Sequence, residues 1–174
     1  KLGYGSEQRR ALSPGLVDVC LNAYGWSGPW RERRGFDSLV QMSCGIAQQG
    51  MQQSGENKPV PLPVQALDHV TGYLMAAAVI QGLAQRVETH QGSQPRLSLA
   101  RTARDLMASG AQEAAVPASR IFAAQAEDYS SQPEYTVWGP GWRLRAPVQL
   151  EGTAWQWDLP ASALGTSPAS WRKA

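Results

Sequence analysis

Residues 5–12 (GSEQRRAL) are mostly polar and run into Ser13, Pro14 and Gly15. This predicts a short helix with a firm stop. LVDVCLN, residues 16–22, alternates around a β-branched core and predicts a strand. Residues 23–35 are punctuated by glycines and Pro29 and read as a loop. From 36 to 50, Phe36, Leu39, Val40, Cys44 and Ala47 recur at helical spacing, which predicts an amphipathic helix ending at Gly50. Residues 51–62 are polar and then proline-rich, a second loop. A long apolar helix follows from about Val64 to Glu88. Gly72, Ala76, Ala77, Ala78, Gly82 and Ala84 keep it thin, so another backbone can approach closely. It is expected deep in a domain or an interface. PRLSLA (95–100) predicts a short strand and RTARDLMAS a helix after it. The order helix, strand, helix, helix, strand, helix points to an α/β fold.

Beyond residue 110 the pattern changes. Residues 111–134 are rich in Ala, Gln and Ser without clear periodicity and read as a linker. From Tyr135 onward the chain is full of Trp, Pro and Gly, and short strands and irregular turns are expected. Five of the seven tryptophans lie here. Such a row can stack on sugars or bases, but it more often covers a core or a subunit interface. Three regions result: a Rossmann-like segment over 1–110, the linker 111–134, and a Trp/Pro-rich segment over 135–174 that packs on the domain or an interface. Two visible strands cannot bury this much helix, because a parallel sheet needs several strands covered on both faces. The missing sheet is expected from an upstream segment or a partner chain. The chain also opens on Lys1 with no signal peptide at its head, so a fragment or processed piece is expected.

Composition narrows the classes. With 43% hydrophobic and 17% charged residues, 174 residues fit one ordinary domain and neither a disordered nor a fibrous chain. A formal net charge of +2 is too small to argue for nucleic acid or an anionic membrane. The uncharged run in the long apolar helix, Val70 to Gln85, is short for a membrane span. Cys20 and Cys44 lie in apolar settings and fit small core residues in a reducing, cytoplasmic compartment.

Two histidines, His69 and His90, without CxxC or HExxH spacing, give no metal site. There is no Walker loop, no GxGxxG and no GxSxG elbow. Carboxylates remain. Asp18 alternates with Val17 and Val19, so it is expected to face solvent. Asp37 and Asp68 each lie near a helix start, where a bland role favourable to the dipole suffices for either alone. Together they say more, because ligands of open α/β sheets bind beyond the carboxyl ends of strands, where the 23–35 loop lies. Arg31, Arg33 and Arg34 in that loop either meet phosphates or form a solvated basic stretch.

These residues, in this order, resemble family III CoA-transferases of the CaiB/BaiF type. The likeness runs from LSPGLVDVCLNAYGWSGPWRERRGFDSLVQMSCGIA, with Gly25, Gly28-Pro29, Phe36-Asp37 and Gln41, through PLPVQALDHVTGYLMAAAVIQGLAQR, with Asp68 and Gly72, to RLSLARTA. It covers roughly residues 10–107. The resemblance implies transfer of CoA from an acyl-CoA to a carboxylic acid, with acyl-CoA as the CoA-bearing substrate and no metal. It makes Asp68 the nucleophile, passing through a mixed anhydride and an enzyme thioester. The helix start would offer N–H groups to the developing oxyanion. Arg33, Arg34, Gly35 and Phe36 match the loop that touches CoA. Asp37 and Gln41 match polar positions lining the site, and His69 is a supporting neighbour. The family also holds α-methylacyl-CoA racemases, with a histidine where this chain has Phe36, which cannot exchange a proton. A third reading is a non-catalytic subunit of the same fold, because the family's N-terminal half and most of its second domain have no counterpart here. Interlocked dimers of the family imply a homodimer or a complementary chain as partner.

Overall fold

The computed structural model describes residues 3–110, 123–155 and 157–170. The chain falls into two compact units, Lys1–Ala118 and Ser119–Ala174. Of the expected linker, residues 111–122 lie outside the described residues.

The first unit is a mixed α/β arrangement in chain order α1 (Ser6–Leu12), β1 (Cys20–Asn22), α2 (Asp37–Ser43), α3 (Ile46–Ser54), α4 (Ala66–Thr89), β2 (Arg96–Ser98) and α5 (Leu99–Ala108). β1 and β2 pair in parallel, Cys20 with Arg96, Leu21 with Leu97 and Asn22 with Ser98. A bridge from Val17 to Ser93 carries the pairing upstream. The two strands are shorter than the alternating stretches that predict them, but they occupy the same places. Three helices cross over between them, as parallel pairing requires.

Ala23, Val40, Ile46, Leu67, Leu99 and Ala103 form the core, with Tyr24, Cys44, Leu62, Ala100 and Met107 packed at its margin. The loop after β1, α2, the first turns of α4, and α5 therefore share one apolar centre. Thr71 of α4 and Thr102 of α5 are both buried, and their hydroxyls meet at 2.7 Å, so neither is left unsatisfied between the helices.

Several expectations change. The helix expected over 36–50 is two helices, broken at Gly45, whose φ of 92° is costly for any other residue. α3 runs past Gly50 to Ser54. Gly50 is therefore not a stop but a point of contact: a Cβ there would lie 2.1 Å from the Val60 carbonyl oxygen. Asp18 is not solvated. Its side chain is 11% exposed, and Arg9 of α1 covers it with a 2.5 Å ion pair while Gln94 Nε2 donates to the same oxygen at 3.2 Å. The Arg9 hydrogen bond lowers the pKa of Asp18 from the ordinary carboxylate range.

The long helix departs most. α4 matches its predicted span closely, yet only Leu67, Thr71 and Gly82 of its residues are buried. Tyr73, Ile80 and Val87 are 62%, 68% and 77% exposed. Small residues serve close packing at Gly82, where a Cβ would lie 2.7 Å from Val17 Cγ1, while Gly72 meets open space. The outer face of α4 stays open because no element of the first unit reaches it among the described residues.

The second unit has a different build. A 3-10 turn (Ala126–Asp128) precedes the antiparallel hairpin of β3 (Glu134–Thr136) and β4 (Gly139–Gly141). Gly139 takes a φ of 104° to close it, and Thr136 Oγ1 accepts from the Trp138 N–H at 3.1 Å. Arg143 forks onto Glu134, with Nη2 at 2.9 Å from Oε2, and lies 5.3 Å over the Trp157 ring. Trp155 stacks on Trp157 with centroids 6.2 Å apart. Short strands and turns are as expected, but none of this unit's described residues is buried.

Candidate functional site

The site lies beyond the carboxyl end of β1. Asn22, its last residue, holds the next turn with both ends of its amide: Oδ1 accepts from the Gly25 N–H at 2.7 Å and Nδ2 donates to the Gly25 carbonyl at 2.6 Å. Gly25 and Gly28 adopt φ of 94° and 77°, which turns the loop outward. The loop returns at Gly35, where a Cβ would lie 2.8 Å from the Ala23 Cβ. Phe36 caps α2 with extended backbone and is 65% exposed.

Within this loop Arg33 lies 4.3 Å over the Trp30 ring, which meets Tyr24 edge-on at 5.0 Å. Arg31, Arg33 and Arg34 are exposed. The four residues expected at CoA thus share one excursion, with Arg33 orientated by an aromatic face, Arg34 and Phe36 outward, and Gly35 in a structural role. Trp26 adds a second such pair, under Arg96 at 5.1 Å. Trp26 and Trp30 lie in the stretch that the sequence predicts as a loop, and a basic residue three places after Trp30 is the available signal.

Asp37 opens α2 and is buried, at 2% exposure. Its Oδ2 accepts from the backbone N–H of Asp68 at 2.8 Å, and its Oδ1 accepts from Gln41 Nε2 at 2.5 Å. Gln41, also 2% exposed, donates further to the Val64 carbonyl at 3.2 Å, and its Oε1 accepts from the Leu62 N–H at 2.8 Å. A buried acid without a cation needs donors, and here the Gln41 side chain of α2 and the first turn of α4 supply them. Asp37 and Gln41, the polar positions expected to line the site, both point inward and tie α2 to the entrance of α4. Their i, i+4 spacing signals the mutual contact, though not the partner at Asp68.

Asp68 and His69 occupy the first turn of α4, and both are exposed. Three of the N–H groups at this helix start have partners within the protein. The Asp68 N–H is taken by Asp37, the Ala66 N–H by the Val64 carbonyl at 2.8 Å, and the His69 N–H by the Gln65 carbonyl at 3.2 Å. Phe36 and Asp68 thus flank one carboxylate, so the structure brings the aromatic-acid pair and the α4 aspartate together. Cys20 and Cys44 are free thiols outside this cluster, and burial raises the pKa of each. Among the described residues, no three His, Cys, Asp or Glu side chains come together to hold a metal.

The chain matches the model of CoA-transferase family III over residues 1–138. It is 37% identical over 86 residues to the probable fatty acyl-CoA transferase Rv3272 of Mycobacterium tuberculosis, covering 49% of this chain and 21% of that protein. It is 28% identical over 92 residues to the succinyl-CoA:glutarate CoA-transferase of Mus musculus, 53% of this chain and 21% of the relative. Among solved structures, a CaiB/BaiF family protein from Brucella suis superposes with a TM-score of 0.55 at 26% identity, over 62% of this chain and 28% of the other. The orthorhombic form of Rv3272 gives 0.56 at 29% identity, over 62% and 30%. The matches thus span about a fifth of the curated relatives' length. With a family model matched over most of its length and the fold shared with CaiB/BaiF structures, this chain belongs to CoA-transferase family III.

Proposed function

We propose that this chain is the nucleophile-bearing part of an acyl-CoA:carboxylate CoA-transferase, with Asp68 as the nucleophile. The observation that carries the reading is the exposed Asp68 at the start of α4, its backbone fixed by the buried Asp37 while its carboxylate stays accessible. An Asp68 oxygen attacks the thioester carbonyl, the C–S bond breaks, and CoA leaves as thiolate. The thiolate then attacks the Asp68 carbonyl of the mixed anhydride and releases the first carboxylic acid. The resulting enzyme thioester is attacked by the acceptor carboxylate, which expels CoA thiolate and forms a second anhydride. Attack of CoA on the acceptor's carbonyl gives the new acyl-CoA and restores Asp68. Each hard exchange is divided into easier ones.

Arg33, Arg34, Gly35 and Phe36 are the segment proposed to meet CoA, with the two guanidiniums suited to its phosphates. His69 is a supporting neighbour in this scheme. Phe36, at the place where a racemase needs a proton-transferring side chain, favours transfer over isomerisation. The open apolar face of α4 supports work alongside a second copy or a complementary chain, with Tyr73, Ile80 and Val87 at the contact. No helix among the described residues is long and apolar enough to cross a membrane, and a cytoplasmic setting is proposed.

Incubation of the assembled protein with acyl-CoA, followed by a hydroxylamine quench and mass spectrometry, is expected to find the modification on Asp68. Asp68→Asn is expected to lose transfer by about three orders of magnitude or more. An unmodified Asp68 with full activity in that variant overturns the reading. Deuterium wash-in at the acyl α-carbon supports isomerisation instead.

A further inference from the structure

We propose that Asp37 and Gln41 are positioning residues that lock the backbone of Asp68, and that neither touches substrate. The inference rests on Asp68 being the nucleophile. Its basis is the way α4 begins. Gln65 stands at the N-cap and makes no side-chain capping bond, so the helix lacks a cap of its own. A helix start without one leaves orphan N–H groups and frays. Asp68 is only the third residue of α4 and lies within the turn that would fray.

The cap comes from another helix. Asp37, 31 positions upstream, accepts the Asp68 N–H with one oxygen. Gln41 holds the other oxygen and uses its two remaining contacts to clamp Val64 and Leu62, the segment that leads into α4. The four bonds form one unit: α2 fixes the entrance, and the entrance fixes the residue that reacts. Below that unit Leu67 is fully buried and Thr71 is bonded to Thr102, so the inner face of the turn is set while Asp68 points out.

Both side chains are 2% exposed, and every polar atom of each has a partner in the protein. A substrate reaches them only by displacing the start of α4. Their effect on the reaction therefore passes through the geometry of Asp68, where a displacement of about 1 Å can cost about 100-fold in rate.

The test follows acylation of Asp68 in the assembled protein by rapid quench and mass spectrometry, across acyl-CoA concentrations. Gln41→Met keeps length and removes all three hydrogen bonds of the amide. The expected result is a labelling rate about 10- to 100-fold lower at saturating acyl-CoA. Half-saturation should move less than about threefold, since no substrate contact is lost. Hydrogen exchange of the Asp68 amide should speed up in parallel. Arg9→Ala, which breaks the pair with Asp18 and touches none of the four bonds, should leave the labelling rate unchanged. Labelling of folded Gln41→Met at the wild-type rate overturns the inference alone. A wild-type protein whose Asp68 is never labelled overturns the nucleophile reading, and this inference with it. Should Gln41→Met not fold, the near-isosteric Asp37→Asn, which keeps one oxygen acceptor and loses the other, is judged by the same rates.

Discussion

The two units of this chain are held in different ways. The first has a centre: side chains from α2, α3, α4 and α5 meet at Val40, Ile46, Leu67, Leu99 and Ala103, all nearly closed to water. The second has none among its described residues. It is held by a hairpin, by Arg143 between Glu134 and Trp157, and by two stacked indoles about half exposed. Burial is non-directional and roughly additive in area, whereas exposed polar and cation–π contacts contribute little each. The first unit can therefore enclose a hydrogen-bonded acid such as Asp37, and the second has no interior among its described residues in which to do so.

Truncating the largest side chain of that centre gives the widest separation. Leu67→Ala is expected to destabilise the first unit by roughly 2–5 kcal/mol, the cost of lost burial plus a cavity. Trp142→Ala in the second unit, where the side chain is 56% exposed, should stay within about 0.5 kcal/mol. Denaturant titration followed by hydrogen exchange in each unit reads both. Similar losses from the two substitutions would mean that the second unit has a packed interior after all.

Overfilling is the next largest effect. Gly50→Ala places a methyl group 2.1 Å from the Val60 carbonyl oxygen, and backbone cannot move aside as a flexible side chain does. A loss of about 1–3 kcal/mol is expected, despite the better helix propensity of alanine. Gly141→Ala in the second unit meets nothing within 4 Å and should cost much less. Thermal midpoints compare the pair, and a stabilised Gly50→Ala would show that α3 and residue 60 are not in contact.

Gly50 also marks how far the sequence could be read. Apolar spacing located the α2–α3 stretch, as one helix, and α4, because period 3.6 survives in any context that buries one face. It placed α4 almost to the residue. It did not show that Gly45 is left-handed, or that Gly50 is a contact rather than a stop, because both depend on what lies opposite. Alternation likewise put Asp18 on the outer face of its strand but could not supply Arg9, which arrives from α1 to cover it. The ordered set Gly25, Gly28-Pro29, Phe36-Asp37, Asp68 led to the family, since it is written along the chain. The service Asp37 renders to Asp68 is not written there: it joins positions 31 apart and is visible only once α2 and α4 share a core. The openness of α4 was equally hidden, because an apolar helix looks the same whether its cover is in the same chain or elsewhere.

The smallest difference is electrostatic. Arg9 lowers the pKa of Asp18 in the first unit, chiefly through its hydrogen bond, and Arg143 does the same to Glu134 in the second. A carboxylate whose folded pKa is depressed binds protons more readily once unfolded. Its contribution is therefore complete above the unfolded pKa and is lost as pH falls through the folded one. Both units should weaken on acidification below the ordinary carboxylate range, and Asp18→Asn and Glu134→Gln should each flatten that limb. The flattening should be greater for Asp18, whose side chain is 11% exposed against 25% for Glu134, because water screens the second pair more. Added salt should erase the Glu134 effect first. Carboxyl NMR titration of the two side chains measures both, and a Glu134 limb as steep and as salt-resistant as that of Asp18 would show that the Arg143 fork is sheltered from solvent.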